Sequence, residues 1–370
     1  MKALRRSACA AGLSLLLASS ALAQSSSVGP ATPDQMAAHF IDVGQGAAVL
    51  LEFSCGAALI DTGGQADRYF DSNAKLLAYL NAFFARRTDL NRTLDVVFLT
   101  HAHKDHTTGA LRLVPTDGSP PPFVIRNVVT NAETAGSGMR GQKALLDYAR
   151  ANSIPSLQVT TAAVPHPFGL QTAVTDPIAC PVTSPVLRVL WGSSHTGASW
   201  QNDGNNQSLA IRLDFGQSTF LFLGDLEDTA HSKLIEAWAD NPVILDVGVY
   251  HAPHHGSKNG TTAALVKAES PEIAVISSGD PSKRQYGFTA HDFGHPNLKA
   301  IQILEDPVFG VTTTRAVKHV AVGLNGKSPD GKVKARYSHA DVSRGIYDTA
   351  WDGDIVIEAS TSGAKTVVLN

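Results

Sequence analysis

Residues 100–106 read Thr-His-Ala-His-Lys-Asp-His and begin where the strand-like run Leu94–Thr100 ends. A short, mostly apolar run of this kind forms a buried strand. The four metal-seeking side chains therefore emerge at a strand end, where binding pockets tend to form. Two-residue spacing puts His101 and His103 on one side of an extended chain, and Asp105 and His106 follow after the chain turns. Imidazole nitrogen and carboxylate oxygen suit a borderline divalent cation such as zinc, with manganese or iron as alternatives. Four such groups in six residues exceed the three protein ligands of a usual open catalytic site, so two adjacent cations are expected.

The other histidines support a shared site. Of 14 in the chain, eight lie in three short segments, 101–106, 251–255 and 291–295. Gly224-Asp225 closes the strand-like run Ser218–Leu223, and its carboxylate can bridge two cations or cap the following helix. His251-Ala-Pro-His254-His255-Gly-Ser257 again follows a buried strand-like run, Val243–Tyr250, and one of these histidines is expected to complete the second cation's ligands.

The remaining pattern is mixed α/β. Strands are expected at His39–Val43, Ala47–Phe53 and Ala57–Asp61, with Gly44-Gln45-Gly46 and Ser54-Cys55-Gly56 as turns. Leu76, Leu77, Leu80, Phe83 and Phe84 recur at helical spacing behind an Asp71 or Ser72 cap. Further strands are expected at Phe123–Val129, Val186–Trp191 and Ser208–Phe215, the last turning through Gly216-Gln217 into Ser218–Leu223. Helices are expected at Gln142–Ala151, Ala230–Ala239, Thr262–Ala268 and Leu298–Leu304, with a long irregular connection over 160–185 and a strand-rich tail. No internal repeat or linker divides this pattern, so one large domain over 38–370 is expected.

The amino terminus reads as a leader. Lys2, Arg5 and Arg6 precede an apolar stretch over 8–22, and Ala21-Leu22-Ala23 fits a signal-peptidase site. Residues 1–23 are expected to be removed on export to the periplasm or beyond, leaving 24–37 as a flexible lead-in and no span long enough for a bilayer. Cleavage removes three basic residues and no acidic ones, taking the formal charge from −3 to −6. An acidic chain argues against a broad duplex nucleic-acid surface but not against a single strand or small molecule reaching a metal site. Cys55 and Cys180 either pair in an oxidising compartment or remain separate thiols.

Asp61-Thr62-Gly63-Gly64, the HxHxDH run, Gly224-Asp225 and a late histidine together resemble the metallo-β-lactamase fold superfamily. Within it, Phe40–Gly46, Asn205-Asn206-x-Ser208-Leu209, Pro253-His254-His255-Gly256-Ser257 and Gly294-His295-Pro296 look like the ComEC/Rec2 hydrolase-domain (competence protein) group, and Thr349–Ile357 resembles that domain's closing hairpin. The likeness runs from His39 to Ile357, without that group's membrane channel. It implies a four-layer αβ/βα sandwich with two cations at one edge. On this mapping His101 and His103 hold one cation. Asp105, His106 and His254 hold the other, with His255 as the alternative to His254, and Asp225 bridges. Asp61 would orient the first loop through hydrogen bonds. The usual third histidine of the first cation is missing; Asn206 or its neighbour Asn205, or else His195, stands in its place, and Ala47 replaces an aspartate common in the group.

The resemblance implies a metal-dependent hydrolase. A water between two cations loses its proton near neutral pH and attacks phosphorus or carbonyl carbon. His295, with Lys258 or Ser257, would meet the substrate's non-bridging or leaving oxygen. Phosphodiester hydrolysis leads. Hydrolysis of a lactone or β-lactam and a non-catalytic metal-binding module are the competing readings, since a fold does not fix a function.

Overall fold

The computed structural model describes residues 32–67, 70–114, 119–194, 197–282, 289–328 and 330–369. The expected leader, most of the lead-in and His195 lie outside them.

Two sheets carry the fold. The first runs, in spatial order, Lys365–Leu369, Ile355–Ser360, Gln35–Phe40, Val49–Glu52, Ala57–Ile60, Val96–Leu99, Val128–Asn131 and Ser156–Val159. Its first five strands pair antiparallel and the rest parallel. The second runs Ile346–Asp348, Ile273–Ile276, Val249–His251, Ser218–Phe222, Ala210–Phe215 and Val186–Trp191, parallel through its first four strands.

Alternation in the first sheet decides its packing. Met36, Ala38, Phe40, Val49, Leu51, Ala58, Ile60, Val96 and Phe98 share one core with the second sheet, where Phe40 meets Phe222 at 6.3 Å between ring centres. Leu50, Leu59, Val97 and Leu99 point the other way, into a core with Leu76, Leu80, Phe83 and Phe84 of helix Ser72–Arg86 and Leu145 of helix Met139–Ala151. A period of two buries both faces because each has a partner layer. Asp71 caps the first helix by accepting from Ala74 N at 3.0 Å, as the sequence reading allowed. Helices Asp228–Ala237, Ala263–Glu269 and Leu298–Leu304 place Leu234, Leu265 and Leu304 in the core of the second sheet. The layering is the expected four-layer αβ/βα sandwich.

Several boundaries differ from expectation. Val243–Tyr250 is not one strand: Pro242–Ile244 forms a single turn of 3-10 helix, and only Val249–His251 pairs. Pro242 lacks the N–H that a ladder needs, which favours a helical first turn. Thr349–Ile357 is not a hairpin, because Asp348 caps a helical turn over Thr349–Asp352 through Ala350 N. The closing hairpin is Ile355–Ser360 with Lys365–Leu369. A separate two-stranded hairpin, Thr314–Asn325 with Arg336–Arg344, stands outside both sheets.

Cys55, in the turn before Ala57–Ile60, is disulfide-bonded to Cys180 in the irregular connection, with Cα atoms 5.4 Å apart. Among the described residues, no helix is long and apolar enough to cross a membrane.

Candidate metal centre

The parallel strands of both sheets deliver their carboxyl ends to one edge, the position where open α/β sheets bind ligands. Asp61 follows Ala57–Ile60, His101 follows Val96–Leu99, Asp225 follows Ser218–Phe222 and His255 follows Val249–His251.

The loop carrying His101 to His106 is gripped by backbone. Thr62 N donates to His106 O at 2.7 Å and Ala47 N to Asp105 O at 3.1 Å. Gly64 approaches so closely that a Cβ there would lie 1.8 Å from Lys104 O, and one on Gly46, at φ +152°, would lie 2.4 Å from Asp105 O. Only glycine fits at such contacts. Asp61 adopts a left-handed φ of 58°. Its carboxylate accepts from Thr100 N, Thr100 Oγ1 and His106 Nδ1, each at 2.7 Å. With its Nδ1 proton so held, His106 turns Nε2 toward Asp225, 3.1 Å from Oδ1.

Among the described residues, two groups of candidate ligands result, each with its ligand atoms within 4.8 Å of one another: Asp105, His106, Asp225 and His255; and His101, His103 and Asp225. Asp225 belongs to both. His255 Nε2 lies 3.1 Å from Asp105 Oδ2 and 3.5 Å from Asp225 Oδ2, and His101 Nε2 lies 3.8 Å from Asp225 Oδ2. His101 Nε2, His106 Nε2 and Asp225 Oδ1 are buried without a hydrogen-bond partner among the described residues. Orphaned buried polar atoms are costly, and cations shared among them would satisfy all three. The donor set therefore fits two divalent ions.

His255, not the favoured His254, joins the first group. Both histidines and Gly256 have left-handed backbones, with φ of 51°, 54° and 69°. Consecutive residues in that conformation aim their side chains apart. His255 donates from Nδ1 to Ser277 O at 2.7 Å, which leaves Nε2 for the site. His254 Nδ1 instead lies 3.2 Å from Glu227 Oε1. Strained left-handed backbone at non-glycine residues concentrates at functional sites.

Of the two asparagines, Asn206 is turned away from the ligands and Asn205 toward the cleft above them. Asn206 spends both polar ends, donating to Trp200 O and accepting from Glu227 N, each at 3.1 Å. Asn205 lines the pocket. Its Nδ2 donates to Glu227 Oε1 at 3.0 Å, while its Oδ1 is buried without a partner among the described residues.

Charge is distributed unevenly. Burial disfavours the charged form of His106, yet the Asp225 and Asp61 carboxylates outweigh it and hold the ring well above its ordinary value. His255 is likewise carried to about 10 against its burial by Asp225 and Asp105. Burial and the neighbouring His106 push His101 well down. Burial would raise Asp225, but His106, His255 and His254 drive it well below the carboxylate range. Cations binding here would displace protons.

Above the ligands opens a cleft of ≈ 220 Å³ lined by Gln45, His103, Asn205, His254, Phe293 and His295, among others. Gln45, read from sequence as part of a structural turn, sits inside it. Gly279 N donates to Gln45 Oε1 at 3.4 Å, which leaves Gln45 Nε2 to donate to His295 Nδ1 at 3.3 Å. His295 therefore carries its proton on Nε2. Ser257 is not free for chemistry: its hydroxyl donates to Asn259 Oδ1 and accepts from Gly260 N. Lys258 lines an adjoining cleft rather than the metal pocket.

A family model for the β-lactamase superfamily domain matches residues 59–276. The uncharacterized protein YcaI of Escherichia coli (strain K12) is 28% identical over 87 residues, 23% of this chain and 11% of that protein. The competence protein ComA of Neisseria gonorrhoeae is 33% identical over 79 residues, 21% of this chain and 11% of that protein. The chain thus spans only 11% of the length of either curated relative. Among solved structures, CmlA, a diiron β-hydroxylase from Streptomyces venezuelae, is similar over 66% of this chain and 45% of its own at TM-score 0.36 and 16% identity. Human tRNase Z, short form, is similar over 64% and 91% at TM-score 0.33 and 13% identity. With the family model covering more than half of the sequence and the histidine–aspartate loop lying within the match, the chain belongs to the metallo-β-lactamase superfamily.

Proposed function

We propose that this protein is an exported hydrolase that works with two divalent cations, zinc first, on phosphodiester bonds in single-stranded nucleic acid or a small nucleotide. The observation that carries the reading is the convergence of Asp105, His106, Asp225 and His255 with His101 and His103 around orphaned buried atoms beneath an open cleft. When bound, such a cation pair acidifies a water and neutralises charge on the substrate's oxygens. The chain's own residues do the rest. Asp61 and the Ser277 carbonyl fix the His106 and His255 rings with Nε2 presented to the site. Gln45 holds His295, which lines the cleft, with its proton on Nε2, from which it can donate to a non-bridging or leaving oxygen.

The ComEC-like motifs support phosphodiester over acyl substrates. The pairing of Cys55 with Cys180 supports export, because structural disulfides persist in oxidising compartments.

The test is a substrate panel, with and without chelator: bis-p-nitrophenyl phosphate, a labelled single-stranded oligonucleotide, nitrocefin and a lactone. Chelator-sensitive cleavage of the phosphodiesters is expected. Acyl cleavage alone would replace the substrate class, and no turnover on any substrate would make the site a binding module. His295→Ala should slow turnover by about 10²-fold or more with metal content intact; loss of metal would refute its role.

A further inference from the structure

A second cleft, ≈ 390 Å³, opens beside the metal pocket and shares Phe293 and His295 with it. This volume falls within the range of small-ligand sites. Its lining includes Lys258 and the tip of the hairpin Thr314–Asn325 and Arg336–Arg344, which contributes Lys327 and Ser328.

The hairpin is sewn to the segment that carries His295. Gly323 N donates to Pro296 O and Lys327 N to Asp292 O, each at 2.7 Å, and the Tyr337 ring stacks on His291 at 5.2 Å. The cleft is thus preformed. Two further features point to its occupant. Phe293, at the junction of the two clefts, is 41% exposed and stacks on His295 at 5.8 Å with 25° between the rings. It therefore offers an aromatic surface next to the catalytic candidate. The connection between the hairpin's strands, residues 326–335, carries three cationic residues, Lys327, Lys332 and Lys334, against one acidic residue, Asp330, in a chain of formal charge −3. Basic charge is thus concentrated where the overall balance is acidic. A cleft that presents an aromatic ring together with lysines suits a single nucleic-acid strand, whose bases are free to stack and whose phosphates repeat.

We propose that this cleft binds the part of a single-stranded polynucleotide that continues beyond the scissile phosphate, with Phe293 stacking a nucleobase and Lys258 and Lys327 meeting flanking phosphates. The proposal rests on the phosphodiester reading and narrows it to an extended strand.

The experiment measures fluorescence anisotropy of a labelled phosphorothioate oligo-dT on the metal-loaded full chain across a salt series. Phe293→Ala should weaken binding roughly 5- to 150-fold, and Phe293→Trp should restore it. Lys327→Gln should reduce the slope of log affinity against log salt by about 0.7. The ratio of kcat/KM on oligo-dT to that on bis-p-nitrophenyl phosphate should fall at least fivefold in Phe293→Ala. Absence of oligonucleotide binding, or variants that bind with wild-type affinity and salt slope, would overturn the proposal. Failure of the hydrolase reading is a different result: the anisotropy effects would persist while no phosphodiester is cleaved.

Discussion

Replacing Asp61 by asparagine preserves shape and tests how the site is held. Asparagine tolerates the left-handed backbone at φ 58°, so the turn itself should survive. The carboxylate accepts from three donors, Thr100 N on one oxygen and Thr100 Oγ1 and His106 Nδ1 on the other. An amide can face only one side as an acceptor. If its NH₂ meets Thr100 N, two donors oppose each other at a site 2% exposed. If its NH₂ meets His106, Nδ1 must give up its proton, and the tautomer that follows protonates Nε2, the atom turned toward Asp225. Either outcome costs about 1.5–3 kcal/mol, the value of a hydrogen bond to a charged group. A loss of roughly 10- to 100-fold in metal affinity follows, as for other groups that orient a ligating histidine. Competition against a graded chelator measures it on Asp61→Asn and wild type, with the circular dichroism of both checked first. Unchanged metal affinity in a folded variant would mean that Asp61 does not hold the His106 ring for metal binding.

Other perturbations separate the remaining parts. His255→Gln should lose one cation per chain by elemental analysis, whereas His254→Gln, whose ring meets Glu227, should keep both. Removing the Cys55–Cys180 bond, which closes a separation of 125 residues, should lower unfolding free energy by about 5 kcal/mol on a chain-entropy model, read from denaturant midpoints of the double serine variant. Burial holds the Asp348 carboxyl at about 7 against an ordinary 3.8. A folded value above the unfolded one means stability fully present below pH 4 and lost as pH rises through 7, on the order of 4 kcal/mol. Asp348→Asn, which can still cap Ala350 N, should flatten that part of the stability–pH curve; an unchanged slope would discount the burial argument.

What the sequence revealed follows from local physics. The loop His101–His106 and Asp225 were legible because chemistry-bearing residues stood directly after strand-forming runs, and helix Ser72–Arg86 because its apolar spacing and cap agreed. The choice between His254 and His255 was not legible, since it depends on two consecutive left-handed non-glycine residues that no periodicity signals. Gln45 was overlooked because its partners, Gly279 and His295, lie 234 and 250 residues away. The hairpin Thr314–Asn325 and Arg336–Arg344 registered only as a strand-rich tail: both its strands are largely exposed and lack the clean alternation of a core-facing strand.

Metal stoichiometry across site variants probes the paired-cation site itself. Elemental analysis after equilibrium dialysis against zinc should give two cations per wild-type chain and one in His103→Ala. In Asp225→Asn it should give neither, because Asp225 alone belongs to both groups. An Asp225→Asn protein that folds and keeps two cations would contradict the account.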